Sequence, residues 1–257
     1  MLSVVLDWLS VVCRQCLSTD YRLPTTIFCL PITRLIIYDA RLYFTTLGKA
    51  IWMTSKPTII FDLGAVLIDW NPRHLYRKLF DNEAAMERFF TETDLLQWNA
   101  RQDSGHPFAV AVAELSAQFP HYETYIRAFH ERWEEMMPGA IDPTVEILAE
   151  LKAQEYELFA LSNWSHETFP FALARFAFLR WFRAVVISGE AKVCKPDPRI
   201  YEILLNQIGR PAQECVFIDD SRANIEAAQQ LGFNVIHFHS PEQLRAALIT
   251  NDVRLSG

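Results

Sequence analysis

The chain has 257 residues, 51% hydrophobic and 21% charged, with a formal net charge of -7. Such a composition builds a globular core, and its acidity argues against a nucleic-acid partner, because phosphate backbones are gripped by excess lysine and arginine. Five cysteines, at positions 13, 16, 29, 194 and 215, are an odd number without disulfide-framework spacing and fit a reducing, cytoplasmic setting.

Residues 1–52 contain no glutamate and three of the five cysteines. Cys13-Arg-Gln-Cys16 has no second ligand pair and reads as accidental spacing. The apolar patches at 2–12 and 35–38 are cut by Asp7 and Asp39 too soon for a membrane span, so no membrane partner is expected. No positive segment precedes an apolar core, as a signal peptide requires. The segment is expected to be a dispensable extension or a translation-start artefact, since Met53 is followed almost at once by Lys56-Pro57 and the first strand.

Thr58-Ile59-Ile60-Phe61 is short, β-branched and uniformly apolar, as a buried parallel strand is, and it delivers Asp62 to a glycine-bearing turn. Residues 71–138 differ: helical patterns run over 72–80, 83–90, 108–118 and 122–137, with no convincing strand. An insert here is expected to lie over the carboxyl edge of the sheet as a lid, its aromatics forming its own core. From 142 onward strands and helices alternate. A helix opened by Asp142-Pro143 runs to about 154, with Val145, Leu148, Ala149 and Lys152 on one stripe. Next come a strand at 157–161, a helix at 169–178 and a strand at 184–187. A helix from Asp197-Pro198 to Gly209 buries Ile200, Ile203, Leu204 and Ile208. A strand at 215–218 leads to a helix capped by Ser221 and ended by Gly232. The strand at 234–238 precedes a last helix, opened by the capping box Ser240-Pro241-Glu242-Gln243. Strands separated by such helices pair in parallel with right-handed crossovers, so the fold class is α/β with a doubly wound sheet.

Four polar positions stand at strand exits, where open α/β sheets bind ligands. They are Asp62, Ser162 with Asn163, Lys195 in the turn Cys-Lys-Pro-Asp-Pro, and the pair Asp219-Asp220. Carboxylates for a cation, a lysine for an anion and a hydroxyl for a hydrogen bond together make a phosphoryl-transfer site. Asp62 is the candidate nucleophile. Asp62, Asp219 and Asp220 form an oxygen-rich pocket of the kind that suits Mg2+, which relieves the repulsion between adjacent carboxylates. Lys195 neutralises Asp62 and the phosphoryl oxygens, which Ser162 and the Asn163 amide are placed to hydrogen-bond.

Order and strand context resemble the four motifs of the haloacid dehalogenase superfamily, at FDLGAVLIDW, Ser162, Lys195 and FIDDSRAN, over about residues 57–240. The resemblance implies a Rossmann-like core (53–70 and 139–257) and an inserted α-helical cap (71–138). LSNW and KPDPRIY look like the subgroup of sugar-phosphate phosphatases that includes the α-glucose-1-phosphate phosphatases. It implies a Mg2+-dependent phosphatase that acts on a small phosphorylated metabolite through an aspartyl-phosphate. Family phosphatases mostly carry a second Asp two residues after the nucleophile to protonate the leaving group; here Gly64 stands there, offering a carbonyl to Mg2+ but no proton. A preference for anomeric phosphates or other activated leaving groups follows as an expectation.

Specificity is expected from the insert, with Trp70 close behind the first motif and Arg101, Asp103 and His106 in the stretch WNARQDSGHP. That stretch reads as an exposed turn between helices. Asp103 and His106 are candidates to replace the missing acid, but nothing in the sequence places either near Asp62. Two other readings stand beside the phosphatase: a 2-haloacid dehalogenase, in which the same Asp attacks carbon without a cation, and an idle binding protein that keeps the pocket.

Overall fold

The computed structural model describes residues 56–251 and 253–255. Strand β1 (Thr58–Phe61) is followed by a two-residue ribbon in which β2 (Ile68–Asp69) pairs antiparallel with β3 (Gly139–Ala140). Then come β4 (Leu158–Ser162), β5 (Ala184–Ile187), β6 (Cys215–Asp219) and β7 (Asn234–His237). The main sheet has five strands in the order β5-β4-β1-β6-β7, every pair parallel. β1 is central, with Ile60 in register with Phe159 on one side and Phe217 on the other. Successive strands spread outward from it in both directions, so the crevice at the carboxyl ends opens beside β1.

Side chains along the strands alternate between two cores. Ile59, Phe61, Ala160, Val216 and Ile218 enter one; Ile60, Phe159, Leu161, Cys215 and Phe217 enter the other. Both faces are covered, which is why the strands read as continuous apolar runs. Each Ile, Val, Leu or Phe among them contributes on the order of 1.5–3 kcal/mol by leaving water.

Between β2 and β3 the chain is helical: α1 (Arg73–Tyr76), α2 (Glu83–Thr93), α3 (Leu95–Asp103), α4 (Phe108–Gln118) and α5 (Glu123–Glu131). Asn82 caps α2 by accepting from the Ala85 amide at 2.9 Å. Tyr76, Phe89, Phe108 and Phe129 are fully buried, and Trp98 meets Phe129 edge-on at 5.2 Å between ring centroids. The aromatics of this segment are thus chiefly its own core. Helix α3 corrects the reading of 98–107 as an exposed turn. Its polar residues Asn99, Gln102 and Asp103 are buried, because the face they form meets polar groups rather than water.

Helix α6 (Asp142–Ala153) holds Asp142 in its first turn, and the capping position falls to Ile141, which makes no side-chain capping bond. The core face is Thr144, Ile147, Leu148 and Leu151; of the expected stripe only Leu148 is buried, and Lys152 is exposed. Ile147 and Leu151, one turn apart, set the phase instead. Helix α7 (Phe169–Arg175) stops short of 178, because Phe176 leaves the helix in extended geometry to pack on Phe178. Helix α8 (Ser188–Ala191) follows β5. Helix α9 (Pro198–Ile208) is capped by Asp197, which accepts from the Arg199 amide, and ended by Gly209 at φ 71°. Its buried face gains Tyr201, while Ile203 is only half-buried. Helix α10 (Arg222–Gln230) begins at Ser221, whose side chain makes no capping bond. Helix α11 (Pro241–Thr250) is capped by Ser240, which accepts from the Gln243 amide at 3.2 Å. No helix among the described residues is long and apolar enough to cross a membrane. The Cys13–Cys16 pair and the segment 1–52 lie outside the described residues.

Candidate active site

Asp62 leaves β1 still tied to the sheet, its amide donating to the Ile218 carbonyl at 2.8 Å. The side chain is thereby aimed over the carboxyl edge. Asp62 Oδ1 accepts from the Leu63 amide and from Ser162 Oγ, both at 2.7 Å. Asp62 Oδ2 faces Lys195 Nζ at 2.9 Å. Ser162 reaches Asp62 because β4 is the direct neighbour of β1. Behind it the chain turns through Ala65, held at φ 59°, a left-handed conformation that costs a residue with a Cβ roughly 1 kcal/mol.

Lys195 comes from a loop, yet it is fixed from several sides. Its amide donates to Asn163 Oδ1 at 2.8 Å and its carbonyl accepts from Asn163 Nδ2 at 3.0 Å. Its Nζ donates to the Leu161 carbonyl at 2.8 Å and to Asp219 Oδ2 at 2.7 Å. The Asn163 side chain thus helps to place Lys195. Asp219 is fully buried, and its Oδ1 also takes the Ser221 amide and Asn224 Nδ2, at 2.8 and 3.0 Å. Asn224 was missed as an actor, although FIDDSRAN contains it; five residues past Asp219, it sits on the first turn of α10, where it can reach back.

Burial works against the ionised Asp62 and pushes it up to about 7; Lys195 opposes this, Asp219 adds to it, and the Ser162 hydrogen bond opposes it. Burial alone would lower Lys195, but Asp62 and Asp219 outweigh it and hold the ammonium charged. Asp220, raised by burial and by Asp219, stands beside them. Asp62, Asp219 and Asp220 each offer an oxygen within 4.8 Å of the others'. Three carboxylates against one ammonium leave negative charge uncompensated. The donors are hard oxygens, as a Mg2+-type cation requires. Gly64 lies on the same wall, and its carbonyl accepts no hydrogen bond among the described residues.

These groups open into a cavity of about 590 Å³. Asp62, Gly64, Ser162, Asn163, Lys195 and Asp220 line its floor, while Trp70, Leu96, Asn99, Asp103 and Trp133 reach it from β2 and the helical segment. Asp219 supports the floor from below without lining it. Of the residues expected to set specificity, Trp70 and Asp103 reach the cavity and the other two do not. Arg101 and His106 turn to Glu114, at 4.0 and 3.5 Å.

The model for haloacid dehalogenase-like hydrolases matches residues 59–238. A sesquiterpene phosphatase from Aspergillus oryzae is 27% identical over 187 residues, spanning 72% of this chain and 90% of its own. A phosphorylated carbohydrates phosphatase from Thermotoga maritima is 25% identical over 208 residues, 77% of this chain and 92% of its own. Among solved structures, a HAD family enzyme from Bacteroides thetaiotaomicron, in complex with magnesium and inorganic phosphate, superposes with a TM-score of 0.57 at 22% identity. It covers 71% of this chain and 93% of that one, and shares the fold. With Asp62, Ser162, Lys195 and Asp220 converging on one cavity and a family match that spans all of them, the chain belongs to the haloacid dehalogenase-like hydrolases.

Proposed function

We propose that this chain is a Mg2+-dependent phosphatase that cleaves a small phosphorylated metabolite, in first place a sugar phosphate, through an aspartyl-phosphate on Asp62. The observation that carries the reading is the convergence at one sheet edge of Asp62, the ammonium of Lys195 and the acidic pair Asp219-Asp220. The phosphatase relatives from Aspergillus and Thermotoga support it, and their different substrate names leave the leaving group to the cavity walls.

Asp62 Oδ1 is held by two donors, leaving Oδ2 with one partner and lone pairs for attack on phosphorus. Lys195 meets the negative charge on the transferring oxygens, steadied beneath by Asp219 and behind by Asn163. Asp62, Asp220 and the Gly64 carbonyl would hold Mg2+, with Asp219 adding charge from below. When bound, the ion neutralises phosphoryl oxygens and pulls Asp62 toward its ionised form. Trp70 and Trp133 give the leaving group flat apolar walls suited to the C–H faces of a sugar ring.

A panel of sugar phosphates, nucleotides, acyl phosphates and 2-haloacids, each assayed with and without Mg2+, tests the reading. Release of phosphate that requires the cation is the expected result. Turnover of 2-haloacids that survives complete chelation would instead establish the dehalogenase, since attack on carbon needs no cation. If Asp62→Asn left turnover of every phosphate ester unaltered, the pocket would be one for binding only.

A further inference from the structure

Cleaving the phosphate ester of an ordinary alcohol expels an alkoxide, and a proton has to meet that oxygen as the P–O bond breaks. The groups at the sheet edge are poorly placed to bring one. Lys195 is held by Asp62, Asp219 and the Leu161 carbonyl, Ser162 already donates to Asp62, and Gly64 has no side chain. Three carboxyl residues line the cavity among the described residues: Asp62, Asp220 and Asp103. Only Asp103 stands outside the acidic cluster. It ends helix α3 and reaches the cavity from the helical segment, together with Asn99, Leu96 and Trp133, rather than from the sheet edge that carries Asp62.

Asp103 is built into this position. It is buried, its Oδ2 accepts from Asn99 Nδ2 at 2.9 Å, and its carboxyl takes a hydrogen bond from the Ser165 backbone. Its own carbonyl accepts from Ser188 Oγ at 2.6 Å, tying the end of α3 to the start of α8. Asn99, beside it on the cavity wall, is also buried and leaves its Oδ1 without a partner among the described residues. Burial pushes Asp103 up to about 8 against the hydrogen bonds from Ser165 and Asn99, with a smaller push from Asp62. The carboxyl therefore carries a proton at neutral pH. The other charged groups nearby are engaged elsewhere or lie behind it: Arg101 and His106 face Glu114, Glu167 holds the Phe108 amide, and Lys192 lies against Gly105.

The structure assigns Asp103 as the proton donor to the leaving group in the phosphatase reaction proposed above, on which this inference rests. In the first half, an Asp62 oxygen bonds to phosphorus and the ester P–O bond breaks. Its electron pair stays on the leaving oxygen, which takes the proton of Asp103. In the second half, water gives a proton to the Asp103 carboxylate as its oxygen bonds to phosphorus, and phosphate departs from Asp62. Asp103 ends the cycle protonated. With that donor in place, Gly64 does not confine the enzyme to activated leaving groups.

The test uses phosphate monoesters graded in leaving-group acidity, from p-nitrophenyl through phenyl to alkyl, with thermal melting as a check on folding. Asp103→Asn is expected to lower kcat/KM, which reports the first half alone, by about 10²-fold or more for alkyl esters and far less for p-nitrophenyl phosphate; the second half slows alike for all. A Cβ at Gly64 meets no atom within 4 Å, so Gly64→Asp is free to bring in a second acid. In the Asp103→Asn background it should restore alkyl turnover; in the wild type it should add little. An equal loss of kcat/KM on every ester, or no loss, overturns the assignment while the phosphatase reading stands. So does a gain above about tenfold on alkyl esters from Gly64→Asp alone, a result that does not depend on Asp103→Asn folding. A wild type that hydrolyses no phosphate ester removes the phosphatase reading and this inference with it.

Discussion

The floor and the walls of the cavity are built on opposite plans. On the floor nearly every polar atom has a partner: Asp62 Oδ1 has two, Asp219 bridges Lys195, Ser221 and Asn224, and the Asn163 side chain clasps the Lys195 backbone on both sides. On the walls from β2 and the helical segment, Trp70, Pro72, Leu96 and Trp133 stand among Asn71, Arg73, Asn99 and Asp103, and Trp70 Nε1, Trp133 Nε1 and Asn99 Oδ1 have no partner among the described residues. A saturated network holds charges in one geometry, which suits the step common to any phosphate ester. A wall that keeps such unpartnered atoms sets which leaving group is tolerated without disturbing that geometry.

The sharpest way to break this contrast is to change the floor. Asp62→Asn should cut phosphate ester turnover by roughly 10⁴-fold or more at every substrate, measured as kcat, because it removes the nucleophile. Next in size, Lys195→Met leaves Asp62 and Asp219 buried without their counter-charge. A loss of roughly 3–5 kcal/mol in urea unfolding is expected, together with loss of activity. Adding Asp219→Asn should recover part of that stability, and a double variant no more stable than the single one would show the pairing to be unimportant. Removing divalent cations with a chelator should abolish turnover, and Mg2+ should restore it.

Changes to the walls should be milder and more selective. Trp70→Ala, at a half-buried side chain, is expected to raise KM about tenfold for sugar phosphates with kcat nearly unchanged, as loss of uniform binding does. The smallest effect expected is a slope. Asp103 holds its proton up to about pH 8 in the folded chain, whereas its ordinary value is 3.8. Between those limits the native state binds a proton that the unfolded state has lost, so this group's contribution to stability is present at low pH and fades as pH rises from about 4 to 8. Asp103→Asn should flatten that part of the melting-temperature profile, and an unchanged slope would place the carboxyl in water.

Much of the fold was legible from local pattern. Apolar runs leading to acidic or hydroxyl residues marked β1, β4 and β6 to within a residue, because both sheet faces are buried. Asp197, Gly209 and Ser240 announced helix ends through their own backbone chemistry. Less legible was the phase of α6, where Ile147 and Leu151 outweigh Val145 and Ala149 only once the sheet is in place. Helix α3 was missed because a polar stretch reads as solvent-facing, and nothing local shows that its neighbours are Ser165, Ser188 and the cavity.

The amino-acid order by itself determined which groups stand at the strand exits, since the alternation of strand and helix dictates a parallel sheet whose carboxyl ends share one edge. Only the tertiary structure decided how those groups divide their roles: that Asn163 clamps Lys195, that Asp219 lies beneath the floor, and that Asp103 joins the cavity while His106 turns away. Those outcomes depend on contacts between segments tens of residues apart, which hydrophobic periodicity and turn chemistry do not encode.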